Sequence, residues 1–144
     1  MTPAFLRLRP GELLAAPAGL LLGVALFLPW YEFASGRLDA WSSFTVVEVL
    51  IAPAALAGPA LTWVTLTRSS PALPVALGVW TALAGFVASL AVAFRLLVPP
   101  AGAAQTCAGA WLGLAGAILV AVAGWLSIAD ERPDRGVSAK VGGP

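Results

Sequence analysis

The 144-residue sequence contains no histidine and one cysteine, Cys107. Within a single chain these two shortages exclude a histidine-ligated haem, a Cys/His zinc site, an internal disulfide and a Ser-His-Asp triad. Charge is scarce as well. Charged residues make up 10% of the chain and the formal net charge is +1, so there is no clustered basic surface of the kind that binds nucleic acid. Lys140 is the sole lysine beside seven arginines, a bias that fits GC-rich coding and says nothing of function. No cofactor is expected.

What the chain has instead is apolar surface. Hydrophobic residues reach 60% and the mean hydropathy is +0.92, against roughly 45–50% apolar residues in ordinary soluble domains. Four apolar runs, at about 12–31, 44–66, 72–97 and 107–128, each approach or exceed the ~18–20 residues that cross a hydrocarbon core of ~30 Å. The connections 32–43, 67–71 and 98–106 are short and carry turn formers such as Ser-Gly, Ser-Ser-Pro and Pro-Pro-Ala-Gly. A backbone in lipid must satisfy its own hydrogen bonds, and the alternating ~10-residue segments of an outer-membrane barrel are absent, so the spans are expected to be helices.

The sequence thus predicts an all-α, polytopic membrane protein with four transmembrane helices in an antiparallel bundle. Residues 1–11 form a cytoplasmic segment, 12–128 the membrane domain and 129–144 a flexible cytoplasmic tail. A link as short as 67–71 makes the helices it joins antiparallel neighbours. Trp30, Tyr31 and Trp41 at one boundary, with Trp63 and Trp125 at the other, fit the interfacial preference of amphipathic rings. Trp80 lies more than a turn inside the third run and is expected to pack on a neighbouring helix.

With both termini in the cytoplasm, Arg7, Arg9, Arg68, Arg132, Arg135 and Lys140 lie inside, and Arg37 and Arg95 outside, as the positive-inside rule favours. The first run has the length and basic flank of a signal peptide, but Leu28-Pro29-Trp30-Tyr31-Glu32 offers no small-x-small cleavage site. It is read as a retained span. The expected location is the inner (plasma) membrane, with the bilayer as first partner.

The tract Leu26-Phe27-Leu28-Pro29-Trp30-Tyr31-Glu32, the following Ala40-Trp41-Ser42-Ser43-Phe44, the Arg68-Ser69-Ser70-Pro71 hairpin and the Asp130-Glu131-Arg132 after the fourth run resemble small four-span integral membrane proteins of GC-rich bacteria. The resemblance implies the topology and no activity. The tryptophan of the first outer loop is superficially similar to that of claudin-type junction proteins, but their cysteine pair is missing.

Only Glu48 and Arg95 place ionisable groups inside the runs, where a charge costs roughly 2.5–3.5 kcal/mol at the centre of a helix. On antiparallel neighbours they would sit at matched depth about one turn below the outer boundary. They are therefore expected either to form an intramembrane ion pair or ligand site, or to snorkel separately to the headgroups. Glu32, Arg37 and Asp39 would rim an outer vestibule, or be ordinary loop residues. Pro53 and Pro59 each remove a helix donor and are candidate kinks, either a hinge or a fixed bend. Gly109, Gly113, Gly116 and Gly124 form a small-residue seam suited to close packing, with another copy or with helices of the same chain. Gly19-x-x-x-Gly23 has the same alternatives. Cys107 is expected to be buried or to pair with a second subunit.

The function expected from these features is non-enzymatic. Helix–helix association as an accessory or scaffolding subunit, with a membrane-protein partner or a homo-oligomer, comes first. The alternative is an oligomeric carrier or sensor of a small polar or amphipathic ligand, using the outer Glu48/Arg95 site.

Overall fold

The computed structural model of the chain describes residues 9–43, 46–67 and 72–129. The expectations for residues 1–8, Phe44, the Arg68–Pro71 turn and the tail from Asp130 lie outside the described residues. So do Arg7, Arg68, Arg132, Arg135 and Lys140, on which the orientation rests.

The fold is predominantly helical, as expected. In chain order the elements are α1 (Pro10–Ala25), β1 (Pro29–Phe33), β2 (Gly36–Asp39), α2 (Ala40–Ser43), α3 (Val47–Thr67), α4 (Ala72–Leu97), β3 (Gln105–Thr106) and α5 (Ala108–Ala129). Three helices, α3, α4 and α5, are long and apolar enough to cross a membrane, which makes this a membrane protein. At 1.5 Å per residue the 16 residues of α1 span only about 24 Å, short of the hydrocarbon core.

Within the expected first span, 12–31, the helix is shorter than expected and stops at Ala25. The cause is local. Pro29 has no N–H to give the Ala25 carbonyl and it biases Leu28 towards extended backbone. The chain tightens through Phe27 N–H to Val24 O and Leu28 N–H to Ala25 O, then enters β1. The indole Nε1–H of Trp30 donates to the same Ala25 carbonyl at 2.6 Å, where the missing Pro29 donor would have pointed. At the other end of α1, Pro10 occupies the first turn and the Glu12 carboxylate accepts from Arg9 N–H at 2.9 Å, which satisfies one orphan donor.

The strands form a sheet of order β2-β1-β3, which the sequence did not announce. β1 and β2 are an antiparallel hairpin turning through Ala34 and Ser35, with Gly36 at φ +126°, a conformation that favours glycine. The register shifts between Pro29 and Tyr31. That irregularity allows the consecutive residues Trp30 and Tyr31 both to be fully buried, whereas strict alternation would send one outward. β3 adds from the α4–α5 connection, pairing Tyr31 with Thr106 and Glu32 with Gln105.

The helices approach through small residues. A Cβ on Gly109 would lie 2.5 Å from the Pro29 carbonyl oxygen and 2.8 Å from Trp30 Cδ1, and one on Gly113 would lie 2.6 Å from Trp30 Cζ2. The two glycines open a slot on α5 for the Trp30 ring. Gly116 admits the backbone of Leu22 on α1, Gly124 and Gly85 bring α5 and α4 together, and Gly19 and Gly58 do so for α1 and α3. In lipid such close approach supplies the packing that burial of apolar surface does not. Each of these seams is filled by the chain itself.

Trp30 and Tyr31 are core residues and not members of a boundary belt. Conversely Trp80, expected against a neighbouring helix, is 66% exposed. Because Gly124 stands level with Ala82, the antiparallel α4 and α5 place Trp80 at about the depth of Trp125. Both are exposed, as is Trp63 on α3, at the end opposite the sheet.

Trp30→Ala is expected to cost roughly 3–5 kcal/mol, and Gly113→Val, which drives a side chain into the indole, about 1–3 kcal/mol by overpacking. Melts in detergent check both; a Gly113→Val protein melting with the wild type would contradict the slot.

Candidate functional site

The ends of α3 and α4 nearest the sheet carry the two charges singled out in the sequence. Glu48 lies in the first turn of α3 and is only 4% exposed. Arg95 lies in the last turn of α4 and is half-buried. Among the described residues no ion pair joins them. The hairpin register gives the reason: Thr81 Oγ1 donates to Ala57 O across α3 and α4 at 3.4 Å, which sets those residues level. Counting back along α3 from Ala57 to Glu48 brings α4 to Leu90. Arg95 therefore stands five residues, about 7.5 Å, nearer the sheet. The matched depth expected from span boundaries overlooked this offset.

Two side-chain oxygens at this end, Glu48 Oε1 and Ser43 Oγ at the end of α2, are buried and have no hydrogen-bond partner. They flank the entry into α3 five residues apart in sequence. Val47 and Ile51 of α3, Val92 and Leu96 of α4, Ala40 of α2 and Tyr31 of β1 belong to one apolar cluster. Buried polar groups are normally satisfied, since leaving one unpaired costs about 1–3 kcal/mol. Ser43 was not singled out in the sequence. It is one serine of a Ser42-Ser43 pair, and nothing in the string distinguishes the inward from the outward hydroxyl.

Tyr31 ties the sheet to this end. Its hydroxyl donates to the Arg95 carbonyl oxygen at 2.7 Å, so β1 closes over the C-terminal turn of α4, whose last carbonyls have no helical donors. Burial pushes the phenol above its ordinary value of 10.0, partly offset by the nearby Arg95 charge.

The residues expected to rim a vestibule are placed in the sheet. Glu32 and Arg37 are cross-strand partners whose Oε2 and Nε lie 3.5 Å apart. From β3, Gln105 Nε2 donates to the same Glu32 oxygen at 2.6 Å. One polar ladder thus crosses all three strands, with an exposed pair of the kind worth ~0–1 kcal/mol. Asp39 accepts from Ser42 N–H at 2.8 Å and caps α2; hydrogen bonding from the Ser42 side chain and backbone holds its carboxyl below 3.8. These three support the cap, and the structure does not join them to Glu48.

The prolines do not break α3, which runs continuously through Pro53 and Pro59. Pro59 leaves the Ala55 carbonyl without its helical donor, and that oxygen faces Gly19 of α1, where an added Cβ would come within 2.6 Å. Close backbone approach shields it from lipid. Pro59 accordingly packs at the crossing of α1 and α3. Cys107 is a partly buried free thiol whose N–H donates to Trp30 O at 2.7 Å, continuing the sheet into α5. Comparisons with protein-family models, with curated proteins and with solved structures find no match for this chain.

Tyr31 is the only tyrosine, so tyrosinate absorbance reports it alone. Its folded midpoint is expected above 10.0. A raised value means that its stabilisation is full below pH 10 and is lost as pH climbs through the folded midpoint, so Tyr31→Phe should remove that alkaline loss. Titration at or below 10.0 would contradict the buried hydroxyl.

Proposed function

We propose that this chain is a plasma-membrane protein of four spans, both termini cytoplasmic, that binds a small polar or amphipathic ligand at its sheet-capped outer end and works by binding, not by chemistry. The observation that carries the reading is the Glu48 carboxyl, more than nine-tenths buried with one oxygen unpartnered. A structural role would be served better by an apolar side chain, because a buried polar group without partners costs stability. An ionisable group within the membrane, where it is costly, points to a site. In the four-span arrangement α1, with Ala15, Ala18, Leu22 and Ala25 fully or almost fully buried, crosses beside α3 and α5. The turn at Leu26–Leu28 and the strand β1 after it complete its path to the outer surface.

Two measurements test this. Glu48→Leu is expected to melt higher than the wild type by roughly 1–3 kcal/mol of added stability and to lose any stabilisation that the wild type gains from a panel of small amines, carboxylates and sugars. No response from the wild type to any class would contradict the reading. A cysteine placed at Arg37, on β2, is expected to react with an impermeant maleimide in intact cells; reaction only after permeabilisation would invert the topology.

A second reading, an accessory subunit acting through helix association, draws on an open apolar groove of about 530 Å³ between α4 and α5, lined by Val79, Leu83, Phe86, Val122 and Trp125. The glycine seams no longer favour it, since the chain's own helices fill them. Cross-linking in the native membrane distinguishes it: a strictly monomeric chain without a recurrent neighbour counts against association.

A further inference from the structure

We propose that the groove between α4 and α5 holds one acyl chain of a membrane phospholipid, drawn from the leaflet at the end opposite the sheet. The floor of the groove is small, with Ala82 and Ala121, and its walls are bulky, with Leu83 and Phe86 on α4 and Val122 and Trp125 on α5. Glycine contacts set Ile128 beside Gly78 and Ala121 beside Gly85, so the groove follows both helices. It extends from Val79 to Phe86 on α4, about 10 Å at 1.5 Å per residue. One end lies at the level of Trp80 and Trp125, whose exposed indoles mark the headgroup boundary, and from there it leads into the hydrocarbon core. A chain descending from a phospholipid headgroup takes that direction.

A helix of another protein fits this groove less well. Helices in lipid meet through small residues that let their backbones approach, and the glycines of this seam, Gly85 and Gly124, already face backbone of the opposing helix within the chain. What projects outward is bulky. Eight residues line the groove, against roughly 20–30 on each side of a stable protein interface. Its volume of about 530 Å³ instead falls within the roughly 300–1,000 Å³ of a small-molecule site. A free fatty acid would bring a carboxylate, and no lining residue is charged. Dispersion contacts with floor and both walls hold the chain, whereas a flat helix face touches a lipid on one side only.

The full chain, extracted from membranes in a mild detergent, is weighed by native mass spectrometry. One phospholipid is expected to stay bound to each chain. Val122→Trp and Leu83→Trp fill the groove from opposite walls, at positions that are exposed, and each should lose the lipid. Leu56→Trp, a like change at an exposed position of α3 outside the groove, should keep it. Two filling variants guard against one that fails to fold, and a melt identifies which of them is folded. A wild type that carries no lipid, a folded filling variant that retains it, or equal loss in Leu56→Trp overturns the assignment. A bound mass equal to a fatty acid, or a second copy of the chain released by Val122→Trp, gives the groove to that occupant and overturns it as well. Glu48 lies at the other end of α3 and plays no part in this readout, so the ligand reading above stands or falls separately.

Discussion

The architecture depends on one side chain, Trp30, lodged in the slot that Gly109 and Gly113 open on α5. Its indole ring fills the space between the end of α1 and the start of α5, and its N–H joins Leu28 N–H on the Ala25 carbonyl, in place of the donor that Pro29 lacks. Through its backbone, Trp30 O accepts from Cys107 N–H and so holds the strand from the α4–α5 connection against β1. A helix end, a sheet and a helix–helix crossing are therefore fixed together. This matters more in lipid than in water, because shape complementarity and satisfied polar groups must replace the hydrophobic drive between helices.

From that anchor the rest of the sheet-capped end follows in sequence. The bulge that buries Trp30 also buries Tyr31, whose hydroxyl reaches the end of α4. The sheet thus closes over the same end of the structure at which α3 begins, and the entry into α3 brings inward two oxygens that find no protein partner. Elsewhere the structure satisfies its polar groups with care: Thr65, Thr81 and Ser89 return their hydroxyls to carbonyls four residues earlier, and Thr62 donates to Glu12 O on α1. Against that background the Glu48 and Ser43 oxygens stand out.

Helix-length apolar runs are legible in sequence because lipid imposes a length and forbids unpaired backbone; α4 and α5 match their runs to within a residue. The seam on α5 was legible too, since four glycines on one helical face have few uses beyond close packing. Whose surface fills the seam was not, because that depends on Trp30, nearly eighty residues away. The sheet escaped notice because β1 is short and mostly apolar, and so continues the hydrophobic run of α1; only Pro29 marks the change. Glu48 and Arg95 were identified as the charges that matter, but their offset depends on how α3 and α4 slide past each other, a register that alanine-rich faces leave undetermined.

The claim at the centre of the account is that the Glu48 carboxyl is held open for a ligand beneath the cap. Infrared difference spectroscopy in the carboxyl stretching region, on adding small amines, carboxylates and sugars in turn to the wild type and to Glu48→Gln, observes that group directly. A difference band present in the wild type and missing from the variant is the predicted result; identical difference spectra from the two proteins would contradict it.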